Sequence, residues 1–510
     1  MKKMKRLAAL FLTLAMMLGM TLQAAAANSR TGSLTVTGAI PGAKYTLYRV
    51  LDLEGENYPS GSGTYLYKTA NDDKGNWTGF VTGAGAEFVT VSDGYVVLKD
   101  GLADTASAAK AFASAAITYA SENGITAQAE TTAPQASGSS DTSSFTINNL
   151  PIGYYVLYSP EGNNPVSFNV DKANVTVNEK NGVPTVEKKI IEESEPVDKN
   201  SANIGDTVTY KTTITVAAGA KDYVLHDKME AGLTFDLAKG VTGVGLISNG
   251  GTETTVDAGN YTVSKGTETT DACTFHVAFD QSWVETLHAG DKIVVHYEAV
   301  VNENATTGTD TNDNDTWLKY GQNSNTTHDK TETATYKIQI VKTDGGTSEG
   351  TEYKVLDGAQ FELYRGSKEE ANKISFIKTG SDYHVAQAGE SGSTTVIEAG
   401  TPIIKGLEEG SYVLVETKAP DGYNKAADTT FTVNADNVVM NGTVRDNIFT
   451  PANGDTEGIH VINHDGSSLP STGGMGTTIL YIAGVILILG AGSALVLMNR
   501  KSSRRKKTRR

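Results

Sequence analysis

Residues 358–364 read GAQFELY, and residues 406–414 read GLEEGSYVL. Each stretch is a glycine turn followed by a run of aromatic and branched residues, which is typical of a β-strand. The same order occurs at residues 42–48, GAKYTLY, and at residues 149–157, NLPIGYYVL. The repeat predicts two copies of one β-sandwich module, one early in the chain and one late.

The composition agrees with a fold built from strands. The chain has 510 residues, too many for one core of ordinary size, with 53 glycines and only 12 prolines. We therefore predict an all-β protein of tandem immunoglobulin-like β-sandwich domains, with one short helix inserted in the first.

The predicted helix lies in the first of three strand-rich blocks. Apolar residues recur at helical spacing from Ala108 to Tyr119, and Asp104 or Thr105 is in place to cap the helix. The Ser-, Thr- and Ala-rich stretch at residues 128–144 is predicted to be a loop.

Shifts in composition set the boundaries of the blocks. The first block covers residues 28–181, the second 182–332 and the third 333–465. They are flanked by a leader at residues 1–27 and by a C-terminal segment at residues 466–510.

Both ends of the chain carry export signals. Basic residues from Lys2 to Arg6 precede an apolar run to about Leu22 and small residues up to Ala27, which indicates a secretory signal peptide. Residues 477–498 contain no charge and are long enough to span a bilayer, and eight basic residues follow. A basic tail after an apolar span stays in the cytoplasm, so the rest of the chain is predicted to lie outside the cell.

The pentapeptide at the start of this C-terminal signal is Leu469-Pro470-Ser471-Thr472-Gly473. Together with the apolar span and basic tail, it resembles the LPxTG sorting signal of sortase substrates. The resemblance implies that a sortase cleaves after Thr472, transfers its carbonyl to an amine and anchors the product to peptidoglycan. The membrane span would then be transient.

The charge of the chain limits the classes of partner. Acidic residues outnumber basic ones by 59 to 43, which gives a net charge of −16. Both ends are purely basic, so the exported region is more acidic still. Such a surface repels nucleic acid, and we predict no nucleic-acid partner.

The sequence also lacks signals for catalysis of an external substrate. It has no nucleotide loop, zinc-ligand spacing or catalytic-triad signature, so we predict neither an enzyme nor a cofactor or metal site. Residues 310–315, DTNDND, lack the glycine and terminal glutamate of an EF-hand and are predicted to be a polar loop. The single cysteine, Cys273, excludes an intramolecular disulfide. It is predicted to be a small buried residue, with a thioester as the alternative.

The third block begins with a strand that carries a lysine among apolar residues. Residues 338–344 read IQIVKTD, and alternation puts Ile338, Ile340 and Lys342 on one face. A buried amine loses its proton more easily and becomes a nucleophile.

Two further motifs complete this pattern: YVLVETKAPDGY at residues 412–423 and IHVIN at residues 459–463. With them the block resembles the Cna-B-type domains of Gram-positive pilins and adhesins. The resemblance implies an isopeptide bond between Lys342 and Asn463, with Glu416 as the catalyst. The alternative is a buried ion pair of Lys342 and Glu416 beside Asn463.

The second block resembles the middle domain of backbone pilins. In PTVEKKI, residues 184–190, Lys188 shares a face with apolar neighbours while Lys189 points to solvent. The resemblance implies a bond from Lys188 to Asn323, with Asp227 as the catalytic acid. Asn325 is the second choice, and the alternative is an ordinary polar loop.

The first block has no such lysine or glutamate. Thr35 and Thr37 stand in its first strand, and Tyr158-Ser159 replaces the glutamate motif. We predict no isopeptide bond there.

The resemblance to backbone pilins places an acceptor lysine at the end of the first block, and Lys180 matches by position. It implies a structural shaft subunit of a covalent pilus on the cell surface, polymerised from identical subunits by sortase. Minor pilins and host surface ligands are further possible partners. The alternatives are a singly wall-anchored adhesin or a minor or tip pilin, with Lys180 an ordinary solvated hinge residue.

Overall fold

The computed structural model describes the chain from Thr31 to His464 with internal gaps. The gaps are residues 55–64, 103–104, 138–141, 172–173, 237, 270, 309, 345–353, 435–436, 441–442 and 447–457. The predicted signal peptide, the LPSTG motif and the predicted membrane span lie outside the described residues. Within that part of the chain, no helix is long and apolar enough to cross a membrane.

The first unit is built on twelve strands in the part of it that the structure describes. They are β1 (Thr31–Ala39), β2 (Lys44–Glu54), β3 (Leu66–Thr69), β4 (Asn71–Asp72), β5 (Gly75–Asn76), β6 (Val89–Ser92), β7 (Tyr95–Leu98), β8 (Ala129–Thr132), β9 (Ser143–Pro151), β10 (Gly153–Tyr158), β11 (Val166–Val170) and β12 (Asn174–Asn178). A sheet of order β12-β1-β9 faces a larger sheet of order β11-β10-β2-β3-β7-β6, in which β8 also pairs with β2.

Two helices cover the larger sheet of this unit, α1 (Thr78–Thr82) and α2 (Ala106–Glu122). The Thr105 hydroxyl accepts a hydrogen bond from the Ala108 N–H and caps α2. Of the two caps that the sequence predicts, Asp104 and Thr105, the structure therefore has Thr105. Phe112 packs edge-on against Phe80 of α1 at 5.3 Å, which fixes both helices on one core. The predicted loop at residues 128–144 is wrong in part, because it contains β8 and the start of β9.

The second unit is a two-sheet sandwich. Its described strands are β13 (Thr185–Glu192), β14 (Glu195–Val197), β15 (Lys199–Ser201), β16 (Thr207–Thr215), β17 (Val224–Met229), β18 (Leu233–Phe235), β19 (Val241–Ile247), β20 (Thr254–Thr255), β21 (Tyr261–Lys265), β22 (Phe275–Phe279), β23 (Lys292–Val301), β24 (Asn312–Tyr320), β25 (Ser324–Asn325) and β26 (Asp329–Ala334), with a short helix α3 (Gln281–Val284). One sheet has the order β14-β13-β16-β23-β19-β20 and the other β15-β26-β24-β17-β22-β21.

The third unit is a smaller sandwich. Its described strands are β27 (Tyr336–Thr343), β28 (Gln360–Arg365), β29 (Phe376–Thr379), β30 (Asp382–Val385), β31 (Ile397–Glu398), β32 (Ile403–Leu407), β33 (Gly410–Lys418), β34 (Thr429–Val433), β35 (Asn437–Met440), β36 (Thr443–Asp446) and β37 (Ile459–Ile462). The sheets have the orders β29-β30-β32-β27-β37 and β31-β28-β33-β34-β35-β36.

The first and third units share their topology. In each, the first strand pairs in parallel with the last, β1 with β12 and β27 with β37. The two repeated motifs pair in antiparallel fashion, β2 with β10 and β28 with β33. Both units also hold a buried tyrosine whose hydroxyl donates to the carbonyl four residues earlier: Tyr155 to Pro151 and Tyr412 to Glu408. The all-β fold with a repeated sandwich module, predicted from the sequence, is confirmed.

Adjacent units touch through short polar contacts. The Ile204 N–H donates to the Gly406 carbonyl at 3.0 Å, which joins the second unit to the third. Glu161 of the first unit accepts from the backbone N–H groups of Asn323 and Ser324 at 3.1 Å each. These contacts place Asn323 in a turn at the junction of the first two units.

Candidate cross-linking sites

The third unit brings Lys342, Glu416 and Asn463 together inside its core. Each is at most 1% exposed. The amide nitrogen of Asn463 donates to both Glu416 carboxylate oxygens, at 2.9 and 3.2 Å, and the Lys342 Nζ lies 3.9 Å from Glu416 Oε1. The predicted trio therefore forms one buried cluster.

The strand register explains why these three residues meet. Lys342 is on β27 with Ile338 and Ile340, which are also fully buried, as alternation predicted. The parallel partner β37 sets Val461 beside Lys342, and Asn463 follows at the end of that strand. The Lys342 Nζ donates to the Val461 carbonyl at 2.9 Å, which aims the amine along the strand toward Asn463.

The surroundings of the cluster make the uncharged form of the Lys342 amine more accessible. Burial lowers the pKa of Lys342 from 10.5 to about 8, although Glu416 and Asp344 raise it. The carbonyl oxygen of Asn463 is buried and has no hydrogen-bond partner among the described residues. The site thus holds a nucleophile, an unshielded amide and a carboxyl group that faces the amide nitrogen, the atom that must leave in amide exchange.

This pKa predicts how an unlinked third unit responds to pH. In an Asn463→Ala variant the amine stays free, and the folded chain binds fewer protons than the unfolded chain between pH 8 and 10.5. Stability therefore rises with pH in this window. From pH 8 to 9.5 we expect the free energy of unfolding to increase by about 1 to 2 kcal/mol in urea titrations. The Lys342→Met, Asn463→Ala double variant should lack the increase, and an equal increase in both variants would contradict the assignment.

The second unit holds a similar cluster around Lys188. The Lys188 Nζ donates to Asp227 Oδ2 at 2.7 Å, and both side chains are fully buried. Lys189 instead reaches the surface and pairs with Asp198. The choice of Lys188 and Asp227 from the sequence agrees with this geometry.

The structure does not bring Asn323 or Asn325 to this cluster. Asp227 pairs with Thr316 across β17 and β24, whereas Asn323 lies in the turn beyond Tyr320. Four strand residues span about 13 Å, which is beyond the reach of the Lys188 amine. Both asparagines are also exposed.

A different asparagine, Asn314, lies beside the pair. It is fully buried on β24, on the same face as Thr316. Its amide nitrogen donates to the Tyr297 hydroxyl at 3.3 Å, and that hydroxyl donates to Asp227 Oδ2 at 2.6 Å. Tyr297 therefore connects Asn314 to the acid that holds Lys188.

Asn314 also differs from the neighbouring buried asparagine in its hydrogen bonding. The side-chain oxygen of Asn312 accepts from the Thr306 backbone, and its nitrogen donates to the Thr306 and Thr333 carbonyls, so this residue has a structural role. The side-chain oxygen of Asn314 has no partner among the described residues. A buried, unpaired carbonyl costs about 1 to 3 kcal/mol, so such a group suggests a functional role.

Sequence reasoning missed Asn314 because residues 310–315 were predicted to be a polar loop. That prediction is wrong from Asn312 onward, where β24 begins. The available signal was alternation: Asn312, Asn314, Thr316 and Leu318 share one face and are all buried.

Burial disfavours charge at the Lys188 site. It lowers the pKa of Lys188 and raises the pKa of Asp227, although each group opposes the shift of the other. The Lys188 Nζ also lies over the rings of Tyr210 and Tyr297, at 5.8 and 5.6 Å. Both shifts favour the neutral forms of these groups, and an amine must be neutral to attack an amide carbon.

Lys180 lies between the first two units with an exposed side chain. Its backbone is held on both sides, because its N–H donates to Glu179 at 2.7 Å and its carbonyl accepts from Asn164 at 3.0 Å. The Lys180 side chain is therefore exposed to solvent on a backbone held at both sides.

In the first unit, apolar and hydroxyl residues occupy the positions that correspond to the clusters. Leu34 and Val36 fill the buried row of β1. Thr35 is half-buried on the opposite face and pairs with the hydroxyl of Thr146 at 3.0 Å, and Ser159 follows β10. The unit therefore lacks a lysine and an acid at these positions.

Taken together, the fold and sites describe a chain of β-sandwich units, two of which contain buried lysine, acid and asparagine clusters. Residues 336–447 match the family described as the SpaA prealbumin-like fold domain. This match lies within the third unit and ends before β37. A comparison with curated protein sequences gives no match.

Several solved structures are similar to the chain in fold. The T6 backbone pilin of Streptococcus pyogenes is 16% identical, with 86% of this chain and 94% of that chain covered and a TM-score of 0.47. The major pilin SpaD of Corynebacterium diphtheriae is 19% identical, with coverage of 87% and 100% and a TM-score of 0.43. The major pilin RrgB of Streptococcus pneumoniae is 13% identical, with coverage of 86% and 100% and a TM-score of 0.41.

Proposed function

We propose that this chain is the shaft subunit of a covalently polymerised pilus anchored to the cell wall. A sortase joins Thr472 of one subunit to a lysine of the next, and internal lysine–asparagine bonds reinforce the second and third units. The observation that carries the proposal is the pair of buried clusters in the two units that lie between Lys180 and Thr472.

The positions of the clusters fit a chain that is pulled at these two points. Tension between Lys180 and Thr472 passes through the second and third units and bypasses the first. Bonds between Lys188 and Asn314 and between Lys342 and Asn463 would prevent extension of the chain inside each unit. The only stretches that tension could still extend along that path would be residues 181–187, 315–341 and 464–471. The unit without a cluster is the one that carries no load.

The chemistry of each internal bond balances without a cofactor. The neutral Lys342 amine attacks the side-chain carbonyl carbon of Asn463 and gives up a proton. Glu416 carries that proton to the departing amide nitrogen, the carbon–nitrogen bond breaks, and ammonia leaves. Asp227 has the same role between Lys188 and Asn314, where Tyr297 bridges the acid and the amide.

The acceptor lysine gives the decisive test. In a strain with its own sortases, Lys180→Ala should collapse the ladder of high-mass polymers on a denaturing gel to single anchored subunits. Lys180→Arg should fail equally, because a guanidinium stays protonated and cannot attack the acyl enzyme. Folding should survive, since an exposed side chain contributes little to the core.

Lys110→Ala is the matched control, because Lys110 is an exposed lysine that also contacts Asn164. It should leave the ladder intact. A ladder that persists in both Lys180 variants would move the acceptor to another lysine, with Lys189 the first to examine. A wild-type chain that never forms a ladder would overturn the shaft proposal in favour of a singly anchored adhesin or a minor pilin.

A further inference from the structure

Four potential metal ligands meet on the outer face of the second unit: His226, Asp271, Cys273 and His276. Each offers one ligand atom, and these atoms all lie within 4.8 Å of one another. The residues face away from the Lys188 cluster, because His226 precedes Asp227 on β17 and neighbouring side chains on a strand point to opposite faces. The group is therefore separate from the proposed cross-linking site.

The distances fit a tetrahedral ion. Zinc bonds of about 2.0 to 2.3 Å imply ligand separations of about 3.3 Å between nitrogen or oxygen atoms and about 3.6 Å from sulfur to nitrogen. Cys273 Sγ lies 3.5 Å from His226 Nδ1, and Asp271 lies 3.2 Å from His226 Nδ1 and 3.0 Å from His276 Nε2. These three separations are close to those of a tetrahedral zinc site, and the remaining ones are below 4.8 Å.

The strands around the site hold the ligands in place. His226 and His276 are cross-strand partners of β17 and β22, with ring centroids 4.1 Å apart. The His226 ring also stacks on Trp317 at 5.1 Å, so ring packing fixes its orientation. The Cys273 N–H donates to Asp271 Oδ1 at 3.0 Å and fixes the loop that carries both residues.

The site is open on one side only. His226 and Cys273 are each 8% exposed, whereas the Asp271 side chain is 42% exposed. An ion can therefore enter past Asp271 and bind among the three less exposed ligands. In the metal-bound form, the thiolate and carboxylate charges balance a divalent cation.

We propose that His226, Asp271, Cys273 and His276 form a structural zinc site that fixes the loop before β22 to the sheet. A thiolate and two imidazoles select a borderline-soft ion such as Zn²⁺ over Ca²⁺ or Mg²⁺, which prefer oxygen ligands. Four protein ligands leave no open position, so the site is structural and not catalytic. The sequence predicted no metal site, because His226 is far from the other three ligands along the chain.

The test is calorimetric titration of Zn²⁺ into the full chain after treatment with a chelator. We expect one saturable site per chain, and no saturable binding of Ca²⁺ at that site. Cys273→Ser and His276→Ala should each weaken zinc binding by more than about 100-fold, because even loss of an outer-shell partner costs 10 to 100-fold. Circular dichroism of each variant checks that the strands still form.

His296→Ala is the matched control. His296 also pairs with a carboxylate, that of Glu253, at 2.7 Å, but it lies on the other sheet. It does not belong to the group of potential metal ligands found among the described residues. This variant should bind zinc as the wild type does. Co²⁺ loading should produce a thiolate charge-transfer band that Cys273→Ser abolishes. Absence of that band in the wild type, or equal zinc affinity in wild type and Cys273→Ser, would overturn the proposal.

Discussion

Replacement of Glu416 by alanine is expected to leave Lys342 and Asn463 unlinked. The wild-type chain should weigh about 17 Da less per bond than its sequence predicts, because ammonia leaves as each amide forms. Without Glu416, no group carries the proton from the amine to the departing nitrogen. Intact-mass measurement of the variant should therefore recover the mass of one ammonia.

The same change should strongly destabilise the third unit. It removes the bond and also leaves the buried Lys342 amine without the carboxyl group beside it, and a buried polar group that loses its partner costs about 1 to 3 kcal/mol. Thermal unfolding followed by circular dichroism should show the loss. Glu370→Ala is the control, because Glu370 is an 84% exposed glutamate of the same unit in a surface ion pair. An unshifted mass in the wild type, or an unchanged mass in Glu416→Ala, would refute the proposed bond.

Tandem mass spectrometry of the digested wild-type chain should recover a branched peptide that joins Lys188 to Asn314. Asn314→Ala should abolish the branch and restore the mass of one ammonia. Asn323→Ala is the matched control and should leave the branch intact, because its exposed side chain lies in a turn at the junction of two units.

The outcome of this experiment separates three possibilities. A branch that ends at Asn323, or at the second choice Asn325, would support the bond that the sequence predicts and would require a rearranged turn. A branch at Asn312 would contradict the structural role that its hydrogen bonds give it. No branch at all would reduce the cluster to a buried ion pair.

Alternation and local motifs were enough to predict most of the fold and much of the candidate site. Lys342 and Lys188 stand out because each interrupts an apolar row of a strand, and the repeated glycine-turn motifs mark equivalent strands of two units. These signals are local, so a single sequence reveals them.

Pairings between distant strands could not be predicted in the same way. Asn314 lies in a segment so rich in aspartate and asparagine that its sequence predicts a loop and not a strand. Its role depends on Tyr297, which comes from the opposite sheet. His226 and His276 of the proposed zinc site likewise meet only because β17 pairs with β22. Register between distant strands depends on the whole core, which the local pattern does not contain.

The parallel pairing of β27 with β37 has a mechanical consequence. Because both strands run in the same direction, the chain enters the third unit at one end of the pair and leaves at the other. A pull on the two ends therefore loads the pair in shear, and all its hydrogen bonds bear the force together. If the two strands were antiparallel, the same pull would break their hydrogen bonds one after another. The proposed Lys342–Asn463 bond would join the two strands covalently, so tension could not slide one strand along the other.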